Sequence, residues 1–395
     1  MIAAATKYFR LIITKYKGLK HRMKKIKILQ FPLSASFGGV THYILNVWNQ
    51  IDRQNFTFDF LTFSKELFFE KELIEQGSRV FHFKCYPQEN LELFEKEFIN
   101  ILKNNYDIIE LHTSYWKNTV MEEIIRRVCD SKIIVHAHAT DIAPRPICIG
   151  EYDKNYKQHM MIRSSLNDNL IDVKLACSDD AAKWLFGTNK NIKVINNFID
   201  INRYKFNEFY RIEKRQKLNI QDEFVIGMVG RYELEKNHKY LIEIASRLKN
   251  YFCNFKIMVI GDGSQKNKII KEIYERNLQD LFLLVDTVND TSEWYSAMDM
   301  FLLPSIKEAF GIVLLEAQAN GLPCLCSTEI PSIVINKDYS KRLSLDYIDK
   351  WIDFILFCYK NKSNYKDRNI LIDYKKFDSY YVVKKLQKIY EEIIL

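Results

Sequence analysis

The sequence predicts an α/β protein of two doubly wound, Rossmann-like domains that face a cleft. Three observations predict it. Short apolar runs alternate with helical patterns along the chain, as they do where helices cover parallel sheets. A second strand-like start, Phe224-Val225-Ile226-Gly227-Met228-Val229-Gly230, follows a polar stretch at 202–223. The length, 395 residues, suits two domains that each bury a core.

The elements follow in order. Residues 26–31 read as the first strand, Gly38-Gly39 as its loop, and 40–51 as a helix. Residues 56–63 alternate as a strand. Residues 107–112 and 132–138 are short apolar strands that end in polar residues. Residues 173–177 form another, with Ser178 and Asp179 placed to cap the helix behind it. Residues 192–195 close the first half. The second half reads as strands at 224–230, 255–260, 281–285 and 300–304, with helices over 237–249 and 265–276 between them. Pro304 stops the last strand. A helix over 311–320 follows, with Gly321 past its end and Pro323 beyond. Residues 379–394 carry apolar side chains at helical spacing. The expected division is a basic extension at 1–23, a first domain at 24–202, a linker at 203–223, a second domain at 224–376 and a C-terminal helix at 377–395.

The formal net charge of +8 is unevenly placed. Residues 1–27 hold nine Lys or Arg and no acid, which leaves 49 basic against 50 acidic residues in the rest. A nearly neutral body argues against a nucleic-acid partner. The extension has no apolar run long enough to span a bilayer and lacks the order of a signal peptide. Phe9, Ile12, Ile13 and Tyr16 share a helical face among its basic residues, a pattern that suits peripheral contact with an anionic membrane. A disordered tail, or a start at Met23, would read the same way. Eight cysteines are scattered without CxxC or zinc spacing, which fits free thiols in the cytoplasm.

Chemistry gathers after the apolar runs. Ser305-Ile306-Lys307-Glu308-Ala309-Phe310-Gly311-Ile312-Val313-Leu314-Leu315-Glu316-Ala317 sets Glu308 in a strand-to-helix loop and Glu316 on the helix. The amides of Gly311, Ile312 and Val313 open that helix, and a helix start attracts anions. Gly230-Arg231, with Lys236 five residues on, follows the first strand of the second domain and offers two cations. Each of these, taken alone, is more often a solvated surface residue. Gly39 lies where a backbone can approach a phosphate or sugar closely. Gly261-Asp262-Gly263 reads as a tight turn. His136 and His138 point the same way off a strand. No third ligand stands at zinc spacing beside them, so no metal site is expected.

Together these segments resemble retaining family-4 glycosyltransferases of the GT-B fold, and among them the bacterial capsular and exopolysaccharide enzymes. The likeness covers roughly residues 24–326. It implies a nucleotide-sugar donor, most often a UDP-sugar, and a glycan or lipid-linked glycan acceptor at the inner face of the plasma membrane. It implies that Glu308 contacts the donor sugar, Glu316 the ribose hydroxyls, and Arg231, Lys236 and the helix amides the diphosphate. Gly39 would lie near the diphosphate or acceptor, and His138 would reach the transferred sugar. No cofactor or metal is implied. The C-terminal helix is expected to pack back on the first domain. Two other readings remain: a sugar-nucleotide epimerase of similar fold, and a non-catalytic partner subunit.

Overall fold

The computed structural model describes residues 24–35, 38–142, 149–288, 290–308, 310–336, 340–362, 368 and 375–395. The basic extension, Phe37 and Ala309 lie outside the described residues. Among the described residues thirteen strands form two sheets. The first contains β1 (Ile26–Leu33), β2 (Phe56–Thr62), β3 (Val80–His82), β4 (Ile108–Thr113), β5 (Lys132–Ala137), β6 (Val173–Ala176) and β7 (Lys193–Val194). The second contains β8 (Phe224–Val229), β9 (Phe255–Ile260), β10 (Phe282–Val285), β11 (Met300–Leu303), β12 (Cys324–Ser327) and β13 (Ser340–Leu343).

The strand orders are β3-β2-β1-β4-β5-β6-β7 and β10-β9-β8-β11-β12-β13, and every pairing is parallel. Helices cover both faces, so the central strands are apolar on both sides: every residue of β8 and of β11 is buried. In each sheet the order reverses beside the first strand. The helices that follow β1 and β4, and β8 and β11, therefore run to opposite faces of their sheet and leave a crevice at the carboxyl edge.

The helix Ser379–Ile394 returns to the first domain. Val382, Val383, Leu386, Ile389 and Tyr390 enter the same core as Ile28, Tyr43, Ile44 and Phe58. A bridge between Ile199 and Asp378 and the Lys193–Glu392 ion pair at 3.0 Å fix its path.

The expected linker is mostly helix, over Ile201–Tyr204 and Glu208–Lys217. Its polar sequence hid an anchoring role. Arg211 and Arg215 reach carbonyls at the end of the Ser292–Tyr295 helix and share the carboxylate of Asp299, at 2.8 and 3.3 Å. Asp299 also accepts from the backbone N–H of Val225 at 2.8 Å, which ties the linker to β8. Arg215 and Arg368 are 7% exposed, and removing their counter-charge would strand buried cations. Asp299→Ala should lower the stability of the second domain by about 3 kcal/mol. Urea unfolding of the variant measures this; a loss under about 1 kcal/mol would show that Asp299 is not the anchor.

Candidate active site

The second domain's site begins with chain direction. Because β8 pairs with β11, the loops behind them lie side by side. Ile306 N–H donates to Glu235 O at 2.7 Å, and Asn237 Nδ2 to Pro304 O at 3.1 Å, which joins the two loops. Lys236 on the first loop is thereby brought into an ion pair with Glu308 on the second. Ser305, itself buried, donates its hydroxyl to Glu308 Oε1 at 3.0 Å. The side chains of Lys236 and Glu308 are only 17% and 12% exposed, a shelter in which a paired charge is worth more than on the open surface.

Phe310 is buried against Phe377, and Gly311 then turns with φ +87°, a left-handed value that favours glycine. The helix Ile312–Ala319 starts there, and among the described residues no side chain caps it. Its first amides remain available to an anion beside Lys236.

Arg231 sits differently from Lys236. Its side chain is 59% exposed and lies 3.8 Å from Glu235. The Gly261-Asp262-Gly263 turn is more than a convenient bend. A Cβ on Gly261 would come within 2.2 Å of Gly230 O, and one on Gly263 within 2.7 Å of the Tyr232 backbone. These glycines let the loop after β9 pack directly on the loop that carries Arg231.

Glu316 lies one helical layer deeper, 3% exposed. Tyr204 donates to Oε1 at 3.0 Å and Tyr295 to Oε2 at 2.6 Å. Burial pushes its carboxyl pKa up, and the tyrosine bonds offset part of that rise. Tyr204 comes from the linker helix, which Asn320 also grips through the Tyr204 carbonyl at 2.9 Å. Sequence reasoning passed over both tyrosines.

The first domain supplies the facing half. A cavity of about 780 Å³ opens over the ends of β1 and β4, walled by Phe31, Phe63, Tyr86 and Trp116 and by Gly39 and His112. Among the described residues, a Cβ on Gly39 would meet no atom within 4 Å. Lys236 and Glu308 do not line this cavity; they stand in the other domain. Lys307, next to Glu308, forms an ion pair with Asp141, three residues past His138, and so joins the two halves.

His138 does not stand alone at the strand end. It is 8% exposed, and its Nε2 is 2.8 Å from Nδ1 of His112. His136 packs beside it at 4.2 Å between ring centroids, with its Nδ1 3.2 Å from Glu110 Oε1. The expectation that no third ligand accompanies His136 and His138 needs correction. His112, on β4, brings a third imidazole, and one nitrogen of each ring falls within 4.8 Å of the others. The sequence separates these residues because neighbouring strands, not neighbouring positions, bring them together. The polar end of residues 107–112 was the available signal.

Comparison with known proteins gives the family. Residues 37–203 match the family model for Glycosyltransferase Family 4, and residues 210–375 match that for Glycosyl transferases group 1. The glycosyltransferase EpsF of Bacillus subtilis strain 168 is 28% identical over 313 residues, 77% of this chain and 79% of that one. An Escherichia coli UDP-Gal:alpha-D-GlcNAc-diphosphoundecaprenol alpha-1,3-galactosyltransferase is 26% identical over 324 residues, 78% and 81% of the two chains. The crystal structure of Anabaena Alr3699/HepE in complex with UDP and glucose superposes with a TM-score of 0.76 at 16% identity, over 93% of this chain and 100% of that one. The chain thus belongs to the family-4 glycosyltransferases and is a glycosyltransferase with the GT-B fold.

Proposed function

We propose that this glycosyltransferase moves a sugar, with retention, from a UDP-sugar to a glycan or lipid-linked glycan in surface polysaccharide biosynthesis. The observation that carries the donor side is the sheltered Lys236–Glu308 pair beside the uncapped start of the Ile312–Ala319 helix. A diphosphate brought there meets a cation and a set of oriented amides. It would take Lys236 from Glu308 and leave that carboxylate free for the sugar. As the sugar–oxygen bond breaks, negative charge grows on the diphosphate, and donors already in place lower the barrier without rearranging. Arg231, more exposed, adds a cation at the rim. Glu316 takes the ribose hydroxyls, for which one of its tyrosine partners must yield. Gly39 lets the loop after β1 approach the donor, and His138 reaches the transferred sugar.

The aromatic cavity of the first domain suits the acceptor, because sugar rings and apolar tails both pack on such walls. The E. coli relative acts on a diphosphoundecaprenol-linked sugar, which supports a lipid-linked acceptor. The HepE complex with UDP supports the choice of nucleotide. An epimerase would release an altered sugar nucleotide without any acceptor, and a partner subunit would have no need of the Lys236–Glu308 pair.

Four variants test the assignments. Lys236→Ala should slow turnover on the order of 10²-fold, and Arg231→Ala less, in keeping with its exposure. By calorimetry, Glu316→Ala should weaken UDP binding, whereas Glu308→Ala should leave UDP affinity largely unchanged and weaken the intact donor. Near-normal turnover in Lys236→Ala, or equal loss of UDP affinity in both glutamate variants, would contradict these roles.

Cations and amides on the diphosphate do the work that magnesium does elsewhere, so transfer should need no added divalent ion. Turnover is expected to persist in excess chelator. Abolition by chelator with rescue by magnesium or manganese would refute this.

Among the described residues no helix is long and apolar enough to cross a membrane. Attachment to the inner face would then be peripheral, through the basic extension, with roughly 1 kcal/mol from each basic residue near an anionic surface. Full-length protein should co-sediment with anionic vesicles, less so in high salt, and a version starting at Met23 should not. Equal binding by both would move the contact to the first domain, where Phe68 is 69% exposed.

A further inference from the structure

The carboxyl edge of the first sheet holds a chain of buried polar side chains, of which the proposed function uses only His138. Gln30 on β1, Glu110 and His112 on β4, His136 on β5, and His138 just beyond are all buried. Tyr390 joins them from the returning C-terminal helix.

The hydrogens of this chain can be placed from its one charged member. Burial opposes ionisation of Glu110, but the hydrogen bonds that its oxygens accept from His136 and Tyr390 favour the carboxylate, and its carboxyl stays below the ordinary value. An ionised carboxylate only accepts. Tyr390 OH donates to its Oε2, and Gln30 Nε2 donates there too at 3.0 Å. That fixes the amide of Gln30, whose Oε1 must face His112, 2.6 Å away. A carbonyl oxygen also only accepts, so His112 Nε2 carries the hydrogen. Burial lowers the pKa of His112 to about 3 and holds that of His138 well below its usual value, so both rings are neutral. Nδ1 of His112 is then a bare lone pair. At 2.8 Å from it, Nε2 of His138 must be the donor. By elimination, Nδ1 of His138 is bare.

We propose that His112 is a positioning residue, which holds His138 in the Nε2–H form so that its Nδ1 accepts a hydroxyl of a sugar ring. The proposal rests on the reading that His138 faces sugar. A histidine free to exchange tautomers would offer that hydroxyl a donor part of the time, and the sugar would be held less well. Glu110 sets the direction of the whole chain. Tyr390 links it to the C-terminal helix, so docking of that helix and the orientation of His138 depend on one carboxylate.

The same three rings invite a metal-centre reading, and geometry argues against it. With Zn–N bonds of about 2.0–2.1 Å, two ligand nitrogens on a tetrahedral ion stand about 3.3 Å apart. The 2.8 Å separation of the His112 and His138 nitrogens is a hydrogen-bond length. The two readings also differ in protonation, because a metal held at His138 Nε2 needs that nitrogen bare. The Nε2 of His136 and the hydroxyl of Tyr43, both buried without a hydrogen-bond partner among the described residues, lie beside the chain and take no part in it.

The test is long-range proton–nitrogen NMR on 15N-histidine-labelled full-length protein, with His138 assigned by its loss in His138→Gln. The expected spectrum has a protonated Nε2 and a bare Nδ1 on His138. His112→Leu should mix the tautomers and slow turnover about 10-fold to 10²-fold, with circular dichroism unchanged. His112→Gln, whose carbonyl can accept from His138, should restore a large part of both. A wild-type His138 protonated on Nδ1, or a tautomer unmoved in a folded His112→Leu protein, would overturn the proposal. So would a bare His138 Nε2 with stoichiometric zinc shifting all three rings. If His138→Gln leaves turnover intact, the sugar contact fails, while the tautomer spectrum still decides the role of His112.

Discussion

The adjacency of β8 and β11 is the constraint on which the donor half depends. Two loops that begin 70 or more residues apart in sequence are forced side by side because their strands share a ladder. Only then do Lys236 and Glu308 meet, and only then does a cation stand beside an uncapped helix start. The surrounding details serve that approach. Gly261 and Gly263 let a third loop pack backbone to backbone against Gly230 and Tyr232. Gly311 accepts a left-handed turn so that the helix can begin directly behind Glu308. Hydrogen bonds from Ile306 and Asn237 lock the two loops together.

The first domain meets a parallel constraint with different residues. Its order also reverses beside the first strand, and the loops after β1 and β4 open there onto an aromatic cavity. Beneath the cavity runs a row of buried polar side chains ordered by Glu110. A buried carboxylate is costly unless its oxygens are engaged. Here Gln30, His136 and Tyr390 engage them, and Tyr390 belongs to a helix that arrives from the far end of the chain. The docking of that helix is therefore polar as well as apolar. The Lys307–Asp141 pair carries the connection across the cleft, one residue from Glu308 on one side and three from His138 on the other.

Much of this was legible in the sequence, for identifiable reasons. Strands buried on both faces are continuous apolar runs, so β8, β9 and β11 stand out. The helix Ser379–Ile394 shows its period in Val382, Val383, Leu386, Ile389 and Tyr390. The candidate site residues follow strand ends, and Lys236, Glu308 and Gly311 could be named there. What stayed hidden depends on contacts between distant segments. The linker looked loose because its anchors, Arg211 and Arg215, are charged, and only Asp299 and nearby carbonyls explain them. β3 is only three residues long, and β13, Ser340–Leu343, is partly polar, so neither has an apolar run to find. Glu316 read as a ribose ligand, but nothing in its neighbours foretold Tyr204 and Tyr295 on its two oxygens. His112 was missed because its partners lie 82 and 26 positions away.

The central claim is that the donor diphosphate takes Lys236 from Glu308 at the start of the Ile312–Ala319 helix. A crystal structure of the chain with UDP tests it most directly. The account predicts phosphate oxygens within hydrogen-bond reach of Lys236 Nζ and of the helix-start amides, with the Lys236–Glu308 contact opened. UDP bound with that ion pair intact and its phosphates away from the helix start would contradict it.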